Sequence, residues 1–240
     1  MDFKDFLRSI ISTSKSKPNI KDPDEIKREK AHLLLKEATA LRDTDIELAI
    51  KKIREAINLG HRDYAKLSNY LYLAGRFDEA VAIYTEIKIP EAKSTQLPHN
   101  SLCGSFNGLA SLYYKRGKFE EYFYYSSLAT YFSITHSYTY VAGGESLLES
   151  LYKIRKPIYY TEKTNFDKAL KKIGKLDIYD EYEETFMKLF DELREKIYAA
   201  LKTNCFFKGI TAKTEQKFLF FTEELFNSYY YKNLYPLLFN

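Results

Sequence analysis

The stretch Ala74-Gly75-Arg76-Phe77-Asp78-Glu79-Ala80 reads as the end of one helix, a one-glycine turn and the start of the next. Arg116-Gly117-Lys118-Phe119-Glu120-Glu121-Tyr122 repeats it, the two glycines standing 42 residues apart. Glycine closes a helix because it enters the left-handed region at little steric cost, and acids just beyond it suit the positive end of the following helix. Before the first turn, Tyr64, Leu67, Leu71 and Leu73-Ala74 keep a helical period; after it, Ala80, Ile83, Tyr84 and Ile87 continue, and the helix is expected to stop before Pro90. Around the second turn, helices are expected from Phe106 to Arg116 and from Phe119 to about Ser133.

Toward the N-terminus the same grammar holds. Asp22-Pro23-Asp24-Glu25 combines an N-cap acid, proline at the first helical position and Glu three residues past the cap. Leu33, Leu34, Glu37, Ala38 and Leu41 continue one face. A second helix opens at Asp43-Thr44-Asp45 and is expected to bury Leu48, Ala49, Ile53, Ala56 and Ile57 before Gly60. Helical hairpins recurring at a fixed period bury their apolar faces by stacking on one another. The segment 25–135 resembles the tetratricopeptide repeat family, the best match being Tyr64 to Ile87, whose Leu67, Gly75, Phe77, Ala80 and Tyr84 fall on that family's packing positions. The first hairpin departs from the pattern by lacking a turn glycine, the third by carrying Tyr122 in place of a small residue, and residues 88–105 by an insertion. The resemblance implies an all-α fold of stacked helical hairpins, an α-solenoid, and implies nothing about pathway.

Past residue 135 the repeat fades while helical periodicity continues. Ser137 to Arg155 reads as a helix with a kink at Gly143-Gly144, ending ahead of Pro157. Asn165 to Gly174 makes a short helix. Residues 177–204 make a long one, striped by Tyr182, Phe186, Leu189, Leu193, Ile197 and Ala200. Thr211 to about Leu238, with Phe218 to Phe221 and Tyr229-Tyr230-Tyr231, is apolar enough to be buried as a C-terminal helical cap. The expected organisation is an amphipathic segment and tether over 1–21, a repeat domain over 22–135 and a helical region over 136–240 packed on the repeats.

Composition fits this reading. The 240 residues hold 45% hydrophobic side chains, 22 Tyr and 17 Phe, but only 9 Gly and 6 Pro, which excludes disordered and low-complexity classes. A net charge of +4 is too small for a polycationic nucleic-acid protein. Two cysteines, Cys103 and Cys205, without CxxC spacing encode neither a disulfide framework nor a zinc site. With no apolar run long enough to span a bilayer and no signal-like start, a cytoplasmic protein is expected.

No HExxH, GxSxG, Walker A or GxGxxG motif occurs, so no catalytic residue, cofactor or metal is expected, and the function expected is binding. His99 and Cys103 would share a helical face, with His136 as a third member, but Pro98 and Gly104 argue for a loop. On the groove side of the repeat helices the alignment places Arg42, then Asn69 and Tyr72, then Asn107, Ser111, Tyr114 and Lys115. Asn brackets a peptide bond, Tyr supplies an apolar wall, and Arg or Lys attracts an acid, so the set suits an extended peptide or partner helix. The family's chaperone-tail clamp needs a fuller set of cations, and Ala65 and Gly104 stand near positions where these would be expected. Two further surfaces compete. Lys168, Lys171, Lys172 and Lys175 form one basic stripe, opposite Phe166, Ala169, Leu170 and Ile173, that could meet nucleic acid or an acidic partner. Phe3, Phe6, Leu7, Ile10 and Ile11 read as an amphipathic docking helix, in cis or onto a partner.

Overall fold

A computed structural model describes residues 22–94, 98–140, 163–203 and 223–240. The docking segment with Phe3, Phe6, Leu7, Ile10 and Ile11, the Gly143-Gly144 kink, Cys205 and Phe218 to Phe221 lie outside the described residues. The described residues are helical throughout apart from turns, with no strand among them, and no helix among them is long and apolar enough to cross a membrane. The chain divides into two compact units between Tyr70 and Leu71.

The first unit holds α1 (Pro23–Leu41), α2 (Ile46–Asn58) and the opening turns of α3 (Tyr64–Leu73). Asp22 caps α1, its Oδ1 accepting from the Asp24 N–H at 3.1 Å with Pro23 following, as the N-terminal signature requires. Asp45 caps α2 through the Leu48 N–H at 3.0 Å. The two helices pack as an antiparallel pair across small residues: Ala31, Leu34, Leu35 and Ala38 on one, Ala49, Ile50, Ile53 and Ala56 on the other. Lys52 and Glu37 tie them at 2.6 Å. Here the expected stripes need correction. Leu33 is 56% exposed and Leu48 37%, while Leu35 and Ile50 are buried instead. Three successive leucines cannot share one face at 100° per residue, and the alanines at 31 and 38 decide which of them turns inward.

The second unit begins with the end of α3 and continues through α4, a run of α-helix (Phe77–Ala82), π-helical turn (Ile83–Lys88) and α-helix (Ile89–Ser94). Then come α5 (Pro98–Arg116), α6 (Phe119–Tyr140), α7 (Lys163–Lys172), a 3-10 turn (Leu176–Ile178) and α8 (Tyr179–Thr203). Last is α9, which is helical over 223–229, widens into a π turn (Tyr230–Leu234) and resumes as Tyr235–Phe239.

The helix expected to end before Pro90 runs through it. Proline lacks the N–H that would close the preceding turn and crowds the carbonyl four residues back. Widening that turn relieves both: the Ile89 N–H reaches the Tyr84 carbonyl five residues back, and Pro90 enters the next α segment near its start. The device recurs in α9. The Tyr235 N–H bonds the Tyr230 carbonyl, and Pro236 follows at once. The segment expected as a loop at Pro98 to Gly104 is helical as well. Pro98 occupies the first turn, where its missing N–H is harmless, and Gly104 is carried by the apolar residues around it.

The 42-residue repeat has a geometric counterpart. At Gly75 (φ 78°) the glycine N–H bonds the Tyr72 carbonyl at 3.0 Å and the Arg76 N–H bonds Leu71 at 2.9 Å. At Gly117 (φ 77°) the same bonds run to Tyr114 at 3.0 Å and from Lys118 to Tyr113 at 2.9 Å. These are Schellman closures, which satisfy carbonyls that a helix end leaves without donors. After each turn a phenylalanine stands edge-on to the tyrosine that precedes it. Tyr72 and Phe77 lie 6.4 Å apart at 71°, Tyr114 and Phe119 6.2 Å apart at 72°.

The core of the second unit is mostly aromatic. Phe106, Tyr122, Phe123, Tyr131 and Phe132 from α5 and α6 join Phe166 of α7, Tyr182, Phe186 and Phe190 of α8, and Phe226 and Tyr230 of α9. Polar ties run across it. Lys93 meets Glu223 at 2.7 Å, Tyr124 donates to Asn227 at 2.7 Å, Tyr229 donates to the Thr185 carbonyl at 2.8 Å, and the buried Tyr182 hydroxyl pairs with Ser127.

Candidate functional site

The groove residues expected from the repeat fall into both units: Arg42 and Asn69 belong to the first, Tyr72, Asn107, Ser111, Tyr114 and Lys115 to the second. Arg42 is exposed and grips Asp43 through two bonds of 2.8 and 2.9 Å. That hydrogen-bonded pairing raises the guanidinium above its usual range and lowers the Asp43 carboxyl. Asn69 is half-buried and Ser111 is exposed. On α5 the residues Asn107, Ser111, Tyr114 and Lys115 follow positions i, i+4, i+7 and i+8, which places them along one side of the helix. Lys115 extends over the Tyr72 ring, Nζ 5.5 Å from its centroid, so those two residues are brought together. Tyr114 instead turns toward Phe119 and Tyr122, whose ring lies 5.2 Å away. Half of this tyrosine is packing and half remains open.

Of the other candidates, Lys168, Lys171 and Lys172 are exposed and Lys175 is half-buried, while Phe166, Ala169 and Leu170 on the opposite face are buried. Cys103 is buried at 2% exposure on α5 and the side chains of His99 and His136 lie outside the described ones. Among the described residues no group of His, Cys, Asp and Glu could hold a metal ion.

A second site was not read from the sequence. Where α6 begins, Glu120, Glu121, Tyr124 and Tyr125 meet Tyr230, Tyr231 and Tyr235 of α9 around a cleft of about 280 Å³. The seven residues come from two helices only. Glu120 with Tyr124, and Glu121 with Tyr125, are i, i+4 pairs on α6, and Tyr231 with Tyr235 is the same spacing on α9. Their rings form corners. Tyr124 stands at 79° to Tyr125 and 80° to Tyr230, with centroids 4.9 and 5.2 Å apart; Tyr231 stands at 88° to Tyr230 and lies parallel to Tyr124 at 5.9 Å.

The electrostatics are simple. Burial raises the Tyr124, Tyr125 and Tyr230 hydroxyls above the ordinary tyrosine range, so these three are uncharged at neutral pH. Glu121 is paired loosely with Lys118 at 3.6 Å. Glu120 accepts from the neutral Tyr235 hydroxyl at 3.2 Å. Tyr230 is fully buried and its hydroxyl has no hydrogen-bond partner among the described residues.

A third feature, Gly108, also escaped the sequence reading. A methyl group at this position of α5 would lie 2.6 to 2.7 Å from Tyr84 ring carbons, so the bare helix backbone makes the room in which Tyr84 is buried. The signal was a glycine inside a helical pattern, which is costly unless packing requires it. For the cleft, the signal was the doubled Glu/Tyr spacing at 120–125.

No protein-family model matches the chain, and comparisons with curated proteins and with solved structures return no match.

Proposed function

We propose that the chain is a non-catalytic binding protein whose helical hairpins stack in the tetratricopeptide-like manner, with α9 as a cap, and that the exposed side of α5 holds a peptide or partner helix. The observation that carries this reading is the turn built twice: Gly75 and Gly117 close their helices with the same bonds and place Tyr72 and Tyr114 at equivalent positions, each with its phenylalanine. A repeated hairpin offers a repeated surface, already ordered before a partner arrives, which lowers the entropic cost of binding. Asn107 and Ser111 supply the amide and hydroxyl beside the tyrosines, and Lys115 a cation for an acidic group.

The test is Ser111→Arg. Ser111 is exposed, so a long cationic side chain there obstructs the surface without removing any packing. Affinity purification from the native cell should recover a partner with the wild-type chain, and that partner should be lost with S111R while the melting transition stays within a few degrees. Equal recovery by both would refute the assignment of the α5 side.

A second reading rests on the α7 stripe. Lys168, Lys171 and Lys172 are exposed on one side of a helix whose other side is buried, and could neutralise phosphates of a nucleic acid. A mobility shift with RNA or DNA that weakens steeply with salt supports this reading, and no shift at low salt removes it.

A further inference from the structure

The cleft between α6 and α9 has a chemistry of its own. Five tyrosines and two carboxylates line about 280 Å³, less than a drug-sized ligand occupies and suited to one compact head group. Ring faces carry the negative lobe of the aromatic quadrupole and attract a cation. Tyr231, the most exposed of these rings, stands 5.9 Å from both Tyr124 and Tyr235, at 24° and 46°. The lining carries two carboxylates, Glu120 and Glu121, and Glu120 is exposed and accepts only from a tyrosine hydroxyl among the described residues. An anion would be repelled, and a cation would meet acceptors already in place.

We propose that this cleft binds an alkylated ammonium group, with Tyr124, Tyr231 and Tyr235 as its aromatic walls and Glu120 as its counter-charge. A bare ammonium is held less well, because its strong hydration opposes entry between rings. Methyl groups spread the charge and supply surface for the rings to cover. Tyr231, 58% exposed, forms the outer wall, and the fully buried Tyr230 backs the rings without facing the ligand. Lys118 is the internal competitor: its contact with Glu121 shows that a cation already reaches the rim from the neighbouring turn. The ammonium could be a methylated lysine of a peptide or a free choline-like molecule, and the chemistry of recognition is shared. The proposal does not depend on the α5 surface, since S111R leaves every cleft residue in place.

The experiment is a titration of the full chain, followed by tyrosine fluorescence and NMR shifts, with tetramethylammonium, choline and the neutral carbon isostere of choline. Both cations should bind saturably and the isostere at least about tenfold more weakly. Tyr231→Ala and Glu120→Gln should each weaken choline binding by about threefold to thirtyfold, with melting unchanged for the exposed Tyr231. A trimethyllysine peptide that binds more tightly than choline identifies a peptide as the source, and equal affinity identifies a free cation. Equal binding of the neutral isostere, no saturable binding of either cation, or unchanged binding in both variants overturns the proposal.

Discussion

At the scale of single residues, Gly108 and Tyr84 make the sharpest case for a contact that only a bare backbone allows. The Tyr84 ring is 5% exposed and lies where a side chain on α5 would otherwise begin. Gly108→Ala should raise intrinsic helix propensity by about 1 kcal/mol and yet destabilise the protein, because overpacking a tight contact costs about 1 to 3 kcal/mol and more where backbone limits relaxation. In a Tyr84→Leu background the same alanine should be nearly neutral or stabilising. Chemical denaturation of the four proteins of this cycle measures the coupling. If alanine costs the same in both backgrounds, the ring is not what the glycine accommodates. The exposure of Leu33 and Leu48 has the opposite origin: with small residues at Ala31, Ala38, Ala49 and Ala56 the α1–α2 contact is close, and only side chains centred on it are covered.

At the scale of elements, the glycine-closed helix ends were legible in the sequence, and so was much of the buried stripe, Ala49, Ile53 and Ala56 among it. Gly75, Gly117 and Gly174 were read as stops, and each adopts a positive φ with the expected closing bonds. A glycine in that role has few alternatives, since any other residue pays about 1 to 2 kcal/mol to enter the left-handed region. Accordingly, Gly75→Ala and Gly117→Ala should each destabilise by about 1 to 2 kcal/mol, with nothing within 4 Å of the added methyl group to add to the cost. Thermal or urea melts check this, and a loss well above that range at either site would mean that the turn does more than close a helix. Pro90, by contrast, was read as a stop and is not one, because local propensity carries no record of the π turn that precedes it. The same turn before Pro236 shows that the solution is general to this chain. The aromatic cleft was illegible for another reason. Glu120 and Tyr235 are 115 residues apart, and tyrosines in a helical repeat are equally good core residues until packing assigns them. Of the groove set, Lys115 lies over the Tyr72 ring, a contact that no spacing within one helix encodes, whereas Tyr114 is turned partly inward against Phe119 and Tyr122.

At the scale of the whole molecule, the high tyrosine content becomes a statement about pH. Burial pushes the Tyr113 hydroxyl up to about 12, and it raises those of Tyr122, Tyr124, Tyr182 and Tyr230 as well. In the unfolded chain the same groups ionise near their ordinary value of about 10. A group whose folded pKa is raised binds its proton more tightly in the native state, so its stabilising contribution is complete below the unfolded pKa and is lost as pH rises toward the folded one. Stability should therefore be level through neutral pH and fall progressively above about pH 10, with the unfolded state favoured by each buried phenol that ionises. Because the chain has 22 Tyr and no Trp, the tyrosinate absorbance follows the process without interference. Accessible phenols should titrate first and reversibly with helicity intact, and a second rise in absorbance should coincide with loss of the helical circular dichroism. A single transition near the ordinary pKa, with every tyrosine ionised and the helices still formed, would mean that the aromatic core of the second unit admits hydroxide freely and is not the sealed interior that its packing describes.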